Sequence, residues 1–235
     1  MTRFYFCISW ILSFLSFYFI SISELLAQTY IPADPYYLLL TEKDQFEGKL
    51  PLQSNIFRPI FINSDSTSYS LKFKSEGYFN DNAPNQENMD VRYFPKGIGS
   101  FNSIQLAYSN SFVSLIAEPY LMENRFIAVD EVSRNSLFSV MNDRPLVDSK
   151  KYTSGFRNLL AFLHYKGIGF GWHTGNRWWG PGIHSNFQMT NNTYPLPANI
   201  IGTLQEIRFG SFGFYGLYTF AKINNENGVF AKYFT

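Results

Sequence analysis

Tyr69-Ser70-Leu71-Lys72-Phe73-Lys74 sets apolar side chains at the odd positions and polar or charged ones at the even positions. Strict alternation of this kind predicts a β-strand with one apolar and one wet face. Ile104-Gln105-Leu106-Ala107-Tyr108-Ser109 repeats the pattern; Phe112 and Ile116 extend its apolar parity, and Ser109 and Ser111 its small polar one. Arg208, Phe209, Gly210, Phe212 and the stretch 214–220 give a weaker, aromatic-rich version. No segment after residue 66 carries the 3.6-residue period of an amphipathic helix. The chain is expected to be all-β.

Composition narrows the architecture. The 235 residues hold 19 Lys and Arg against 18 Asp and Glu, a net charge of +1. Only 16% are charged, where soluble domains carry about 25%, and 19% are aromatic, with 25 Phe and 16 Tyr. The absence of a basic excess argues against a nucleic-acid binder. An apolar content of 46% excludes wholesale disorder, and a single cysteine excludes a disulfide framework or a Cys-based zinc site. A secreted sandwich would cover its outer face with charge. Here the polar positions are mostly Ser, Asn, Gln and Gly with a few Lys, which suits a barrel with an apolar face to lipid and a polar lumen.

The amino terminus fits export. Arg3 precedes an uncharged run over residues 4–22, and Ala27 offers a cleavage point, so residues 1–27 read as a signal peptide, with an uncleaved anchor as the alternative. Cys7 lies inside that run and makes no lipoprotein box. Residues 28–65 are punctuated by Pro32, Pro35, Pro51 and Pro59; Leu38-Leu39-Leu40 ahead of Thr41-Glu42-Lys43-Asp44 predicts a short helix capped near Thr41. Beyond residue 66 an antiparallel transmembrane β-barrel is expected, interrupted by loops at 80–90 and 123–157. The stretch 191–197, with Pro195 and Pro197, is excluded from a central strand, and Asn224-Asn225-Glu226-Asn227-Gly228 predicts a tight hairpin.

The most specific stretch is Gly167-Ile168-Gly169-Phe170-Gly171-Trp172-His173-Thr174-Gly175-Asn176-Arg177-Trp178-Trp179-Gly180-Pro181-Gly182. Its alternating glycines leave one strand face bare for close approach, and Gly180-Pro181-Gly182 is a structural turn motif. With Ile183 and the following Met189-Thr190-Asn191-Asn192, this stretch resembles the capsule-assembly Wzi-like outer-membrane proteins. Phe138-Ser139-Val140-Met141-Asn142-Asp143 and the strand 158–165 sit where that pattern places them, so the resemblance covers residues 101–222. Gly175 departs from it, standing where an acidic residue is expected.

The resemblance implies a monomeric barrel of the bacterial outer membrane with a small periplasmic helical element in residues 28–65. It implies a protein that binds and anchors capsular or other exopolysaccharide, without cofactor and without catalysis; a porin-like diffusion channel is the alternative. Residues 66–235 hold about eight to ten strands, fewer than such a barrel needs. With Val229-Phe230-Ala231-Lys232-Tyr233-Phe234-Thr235 reading as a strand, the chain is expected to be an N-terminal fragment truncated at its C-terminus. A complete small barrel is the alternative.

Arg177, Trp178 and Trp179, with His173 and Asn186, are the carbohydrate-binding candidates: indole faces stack on sugar rings and a guanidinium donates to hydroxyls or acidic sugars. The competing reading makes the indoles a packing plug, with Arg177 paired to Glu206. Lys72, Lys74, Arg208 and Lys222 form either a basic lumen surface or a solvated face balanced by Glu76 and Glu206. Loops 80–90 and 123–151 are candidate glycan contacts. No G-x-S-x-G elbow occurs, His164, His173 and His184 lack zinc spacing, and Gly167-x-Gly169-x-Gly171 lacks the helix of a phosphate loop. Asp130-Glu131 and Asp143 form no recognisable acid–base pair, so an enzyme, such as a membrane-embedded hydrolase, is disfavoured.

Overall fold

The computed structural model describes residues 30–31, 33, 35–50, 52, 54–61, 67–81, 89–92, 96–128, 148–180, 182, 190–191 and 195–221. The expected signal peptide, the 138–143 segment, Asn186, the 224–228 hairpin and the 229–235 strand lie outside these. In chain order the elements are β1 (Tyr30–Ile31), α1 (Pro35–Phe46), β2 (Phe57–Arg58), β3 (Ile60–Phe61), β4 (Ser68–Asn80), a 3-10 turn (Asp90–Arg92), β5 (Gly97–Ser109), β6 (Val113–Phe126), β7 (Ser149–Tyr165), β8 (Ile168–Gly175), β9 (Trp178–Trp179), β10 (Leu196–Thr203), β11 (Ile207–Phe209), β12 (Phe212–Phe214) and β13 (Leu217–Phe220). The all-β expectation holds. Seven strands form one antiparallel meander, ordered β13-β10-β8-β7-β6-β5-β4.

The meander has unequal ends. One end carries the connections 81–96, 127–148 and 176–195; the other carries the turns 110–112 and 166–167 and the β11–β12 hairpin. At 166–167, Lys166 (φ 50°) and Gly167 (φ 82°) make the two-residue turn with both φ positive that matches strand twist. At 110–112, Asn110 Oδ1 accepts the amides of Phe112 and Val113, both at 2.8 Å, closing an Asx turn. This turn overturns the expected continuation of parity through Phe112 and Ile116. The chain reverses there, Leu115 becomes exposed and Ile116 is buried.

Alternation along β4 to β8 sorts the side chains, and it is the polar face that is covered. Tyr69, Leu71, Phe73, Leu106, Leu115, Leu163 and Phe170 are exposed on one side. Ser70, Ser103, Gln105, Ser114, Glu118, Arg157, Asn158 and His164 are buried on the other, among small apolar groups such as Ala107, Ile116, Leu160 and Phe162. Among the described outward positions of the seven strands, charge occurs only at Glu123, Arg125 and Lys150, near the long-loop end.

Three further expectations are corrected. Both ends of the expected 123–157 loop are strand: β6 runs to Phe126 and β7 begins at Ser149. Pro197 lies in β10 opposite Thr174, beyond the pairing with β13, which among the described residues starts at Asn199. Thr41 is interior to α1 and not its cap; its hydroxyl donates to the Tyr37 carbonyl at 2.7 Å, satisfying itself one turn back.

Candidate functional site

The motif strand β8 lies between β7 and β10, and its glycines are dictated by crowding. A Cβ on Gly171 would land on the carbonyl oxygen of Ala161, and one on Gly169 on that of Leu163. The bare face therefore serves the neighbouring β7 backbone. Past Gly175 the chain turns into β9, whose partner is remote: Trp178 pairs with Arg58 and Trp179 with Phe57 of β2. The Gly180 amide extends this contact by donating to the Ile56 carbonyl at 2.8 Å. Residues 54–58 thus lie against the motif.

The indoles are enclosed. Trp178 is 0% exposed and Trp179 8%, so neither presents a ring face to solvent in this arrangement. Trp178 Nε1 donates to the Gly182 carbonyl at 2.6 Å, and the Arg58 guanidinium sits 5.0 Å from the Trp178 ring centroid while donating to the same carbonyl at 3.3 Å. Arg177, 0% exposed, donates to the carbonyls of Leu196 (3.3 Å) and His173 (3.4 Å). Glu206, the partner expected for Arg177, instead takes Arg208 at 3.1 Å and the Ser54 amide at 2.9 Å. His173 is buried with its Nε2 close to Gly175 and the Asn158 side chain. Asn186 and Pro181 lie outside the described residues; the Gly180 amide donates to Ile56, and the Gly182 carbonyl accepts from both Trp178 and Arg58.

A charged chain that sequence reasoning missed crosses the covered face. Lys74 pairs with Glu76 (2.8 Å), Glu76 with Arg92 (3.1 Å), Arg92 with Asp90 (3.2 Å), Asp90 with Arg157 (2.7 Å) and Arg157 with Glu118 (3.1 Å). Ser103 and Gln105 donate to Glu118 at 3.1 and 3.3 Å, and Asn158 donates to its other side. A register shift between Glu118 and Pro119 makes this possible. Proline has no ladder donor there, one residue of β7 bulges, and Arg157 and Asn158 both turn inward where alternation would send one out. The Pro119 signal was in the sequence.

The loops are stitched to this chain. The Asp90 amide donates to the Asn191 carbonyl at 2.8 Å, and Asn191 Nδ2 donates to the Ala33 carbonyl at 3.2 Å. Ala33, Asp90, Arg157, Asn158, Asn176, Asn191 and Pro195 enclose a cavity with room for about one water. Of the expected lumen cations, Lys74 joins the chain, Lys72 sits 5.3 Å from the Tyr37 ring of α1, Arg208 is exposed with Glu206, and Lys222 lies outside the described residues. At the short-turn end, Tyr215 stacks on Phe57 at 5.4 Å, and burial pushes its hydroxyl pKa up to about 12 against the opposing pull of the Arg177 charge. Among the described residues no His, Cys, Asp and Glu cluster could hold a metal ion.

The chain matches no family model, no curated protein and no solved structure.

Proposed function

We propose that this chain builds part of the wall of an outer-membrane β-barrel that binds and anchors capsular or other exopolysaccharide at the bacterial surface, without catalysis. The observation that carries the membrane part is the exposed, aromatic-rich face, charged only near the long-loop end among the described residues, of a sheet whose polar face is covered. From Val113 to Leu121, β6 advances about 27 Å at about 3.4 Å per residue, which is about 21 Å of height at a tilt near 40°. That is close to the apolar band of about 25 Å on such barrels. Tyr165 and Phe112 stack at the short-turn end, and Tyr152 lies toward the long-loop end, as interfacial aromatics do. Short turns face the periplasm in such barrels and long loops face outward, which turns the strand ends at Asn80, Phe126 and Gly175 toward the outside of the cell.

The polysaccharide part rests on the resemblance of the 176–192 segment to the Wzi-like proteins, on the long connections at one end, and on the pairing of Phe57 and Arg58 with the motif tryptophans. Among the described residues β4 and β13 each have one strand neighbour, so closing the wall calls for further strands. A diffusion channel is the second reading, favoured by the charged chain on the inner face. Deletion of the gene is expected to release polysaccharide into the medium without stopping its synthesis. Polysaccharide that stays attached to the cell sinks the anchoring role, and stable single-channel conductance in a planar bilayer would favour the channel.

A further inference from the structure

The outward face carries its few charges in one place, and they are of unequal sign. Arg125 on β6 and Lys150 on β7 are direct cross-strand partners, next to Ile98 on β5. Like charges placed opposite each other in an antiparallel pair repel. Two carboxylates lie nearby: Glu123 is already 2.5 Å from Lys150 Nζ and also accepts the Tyr152 hydroxyl at 3.4 Å, and Asp148 Oδ1 accepts the Ala128 amide at 2.8 Å. Among the described residues Arg125 makes no ion pair, and its side chain is exposed. Arg125 therefore lacks a negative partner among the described residues.

Its depth says what could supply one. Arg125 lies four residues beyond Leu121, the last outward apolar residue of β6, which is about 10 Å of height at the same tilt. Lys150 is two residues before Tyr152 on β7. Headgroup phosphates lie just beyond the hydrocarbon and the aromatic belt, and a guanidinium binds phosphate oxygens in a two-pronged fashion. The opposite end shows no such pair: its outward rim holds Tyr69, Phe112 and Tyr165, with Lys166 5.6 Å from the Tyr165 ring.

We infer that Arg125 and Lys150 form a binding site for the phosphate of a membrane-lipid headgroup in the outer leaflet, with Tyr152 beneath it against the lipid. The inference rests on the barrel reading above and goes beyond it by naming a lipid ligand and the residues that hold it.

The full chain is folded into phosphatidylcholine vesicles containing lipid A, whose disaccharide headgroup bears two phosphates, and into matched vesicles containing lipid A stripped of phosphate. Native mass spectrometry after mild detergent extraction reads the lipid retained. The phosphorylated form is expected to stay with the protein. The Arg125→Gln, Lys150→Gln double variant should weaken retention about tenfold or more, since each basic residue near an anionic surface contributes on the order of 1 kcal/mol. Lys166→Gln should leave it unchanged. Equal retention by the double variant, equal retention of the stripped lipid, or displacement by inorganic phosphate alone overturns the inference. Insertion is scored separately by protease protection in vesicles lacking lipid A. If the wild-type protein, carrying the further strands that close its wall, fails to insert there, the barrel reading falls and the lipid site falls with it; insertion without selective retention removes the site alone.

Discussion

Replacing Arg157 by Met tests the charged chain at its centre. Arg157 is 4% exposed and spans two carboxylates that come from different parts of the sheet. Nε and Nη2 reach Asp90 Oδ2 at 2.8 and 2.7 Å, and Nη1 reaches Glu118 Oε1 at 3.1 Å. Methionine keeps much of the volume but leaves both carboxylates in place. Asp90 retains Arg92, whereas Glu118 retains only the neutral donors Ser103, Gln105 and Asn158 among the hydrogen bonds described above. Removing one partner of a buried ion pair costs about 3–5 kcal/mol. Arg157→Met is therefore expected to destabilise by about that much, and Glu118→Gln in the same background should recover about 1–2 kcal/mol by removing the stranded charge. Urea titration of the lipid-reconstituted chain, followed by tryptophan fluorescence, measures both. A loss below about 1 kcal/mol for Arg157→Met, with no recovery in the double variant, would show that the pair is solvated and refute the reasoning.

Four other outcomes are expected. Leu106→Arg puts a charge at the middle of the exposed apolar face; it should cost about 2–4 kcal/mol in a bilayer, by urea titration, against about 0.5 or less if that face meets water. Gly171→Ala drives a methyl group into the Ala161 carbonyl and should destabilise by about 1–3 kcal/mol or block folding, seen as loss of heat-modifiable migration on gels. Trp178→Ala empties a fully enclosed site beside Arg58 and should cost about 3–5 kcal/mol, with any polysaccharide release tracking the stability loss. Tyr215 holds its proton more tightly when folded, so its contribution is complete below about pH 10 and is lost as pH rises toward about 12. Tyr215→Phe should remove that part of the alkaline decline in an unfolding series.

Period-two alternation made β4 and β5 legible because burial on one face selects residue type at every second position. It failed wherever the chain reversed. Asn110 and the Lys166-Gly167 pair reset the parity, and only the turn chemistry, not the hydropathy, reports that reset. The motif was legible as something unusual, but the reason for its tryptophans was not. Trp178 and Trp179 pair with Arg58 and Phe57, more than a hundred residues earlier in the chain, across a ladder of two residues that leaves no periodic signal. The Asp90–Arg157–Glu118 chain was hidden for a related reason. Its members sit in three separate segments, and two adjacent residues of β7 face inward only because the ladder slips at Pro119.

Strand length is one argument for the proposed membrane wall over a sandwich, the other architecture that an apolar outward face permits. In a sandwich that face would be covered by a second sheet about 10 Å away, and strands there run about five or six residues. Here β4 and β5 have 13 residues each, β6 has 14 and β7 has 17. Strands that cross a bilayer at a steep tilt need about nine to eleven residues before any extension beyond the membrane. The surplus is also distributed as a membrane would have it. On β6 and β7 the apolar stretch comes first, from the short-turn end, and the polar and charged outward residues, Glu123, Arg125 and Lys150, follow only toward the long loops. A covering sheet would have no reason to stop at that level, whereas the edge of a hydrocarbon layer would. The inner face differs from a sandwich core too: beside the apolar clusters around Phe162 and Phe101, this sheet's covered side carries the ion chain from Lys74 to Glu118. On the proposed reading the length of the strands, the level at which outward charge begins and the ion chain of the covered side all follow from one lipid-facing wall, whereas a sandwich requires a separate explanation for each.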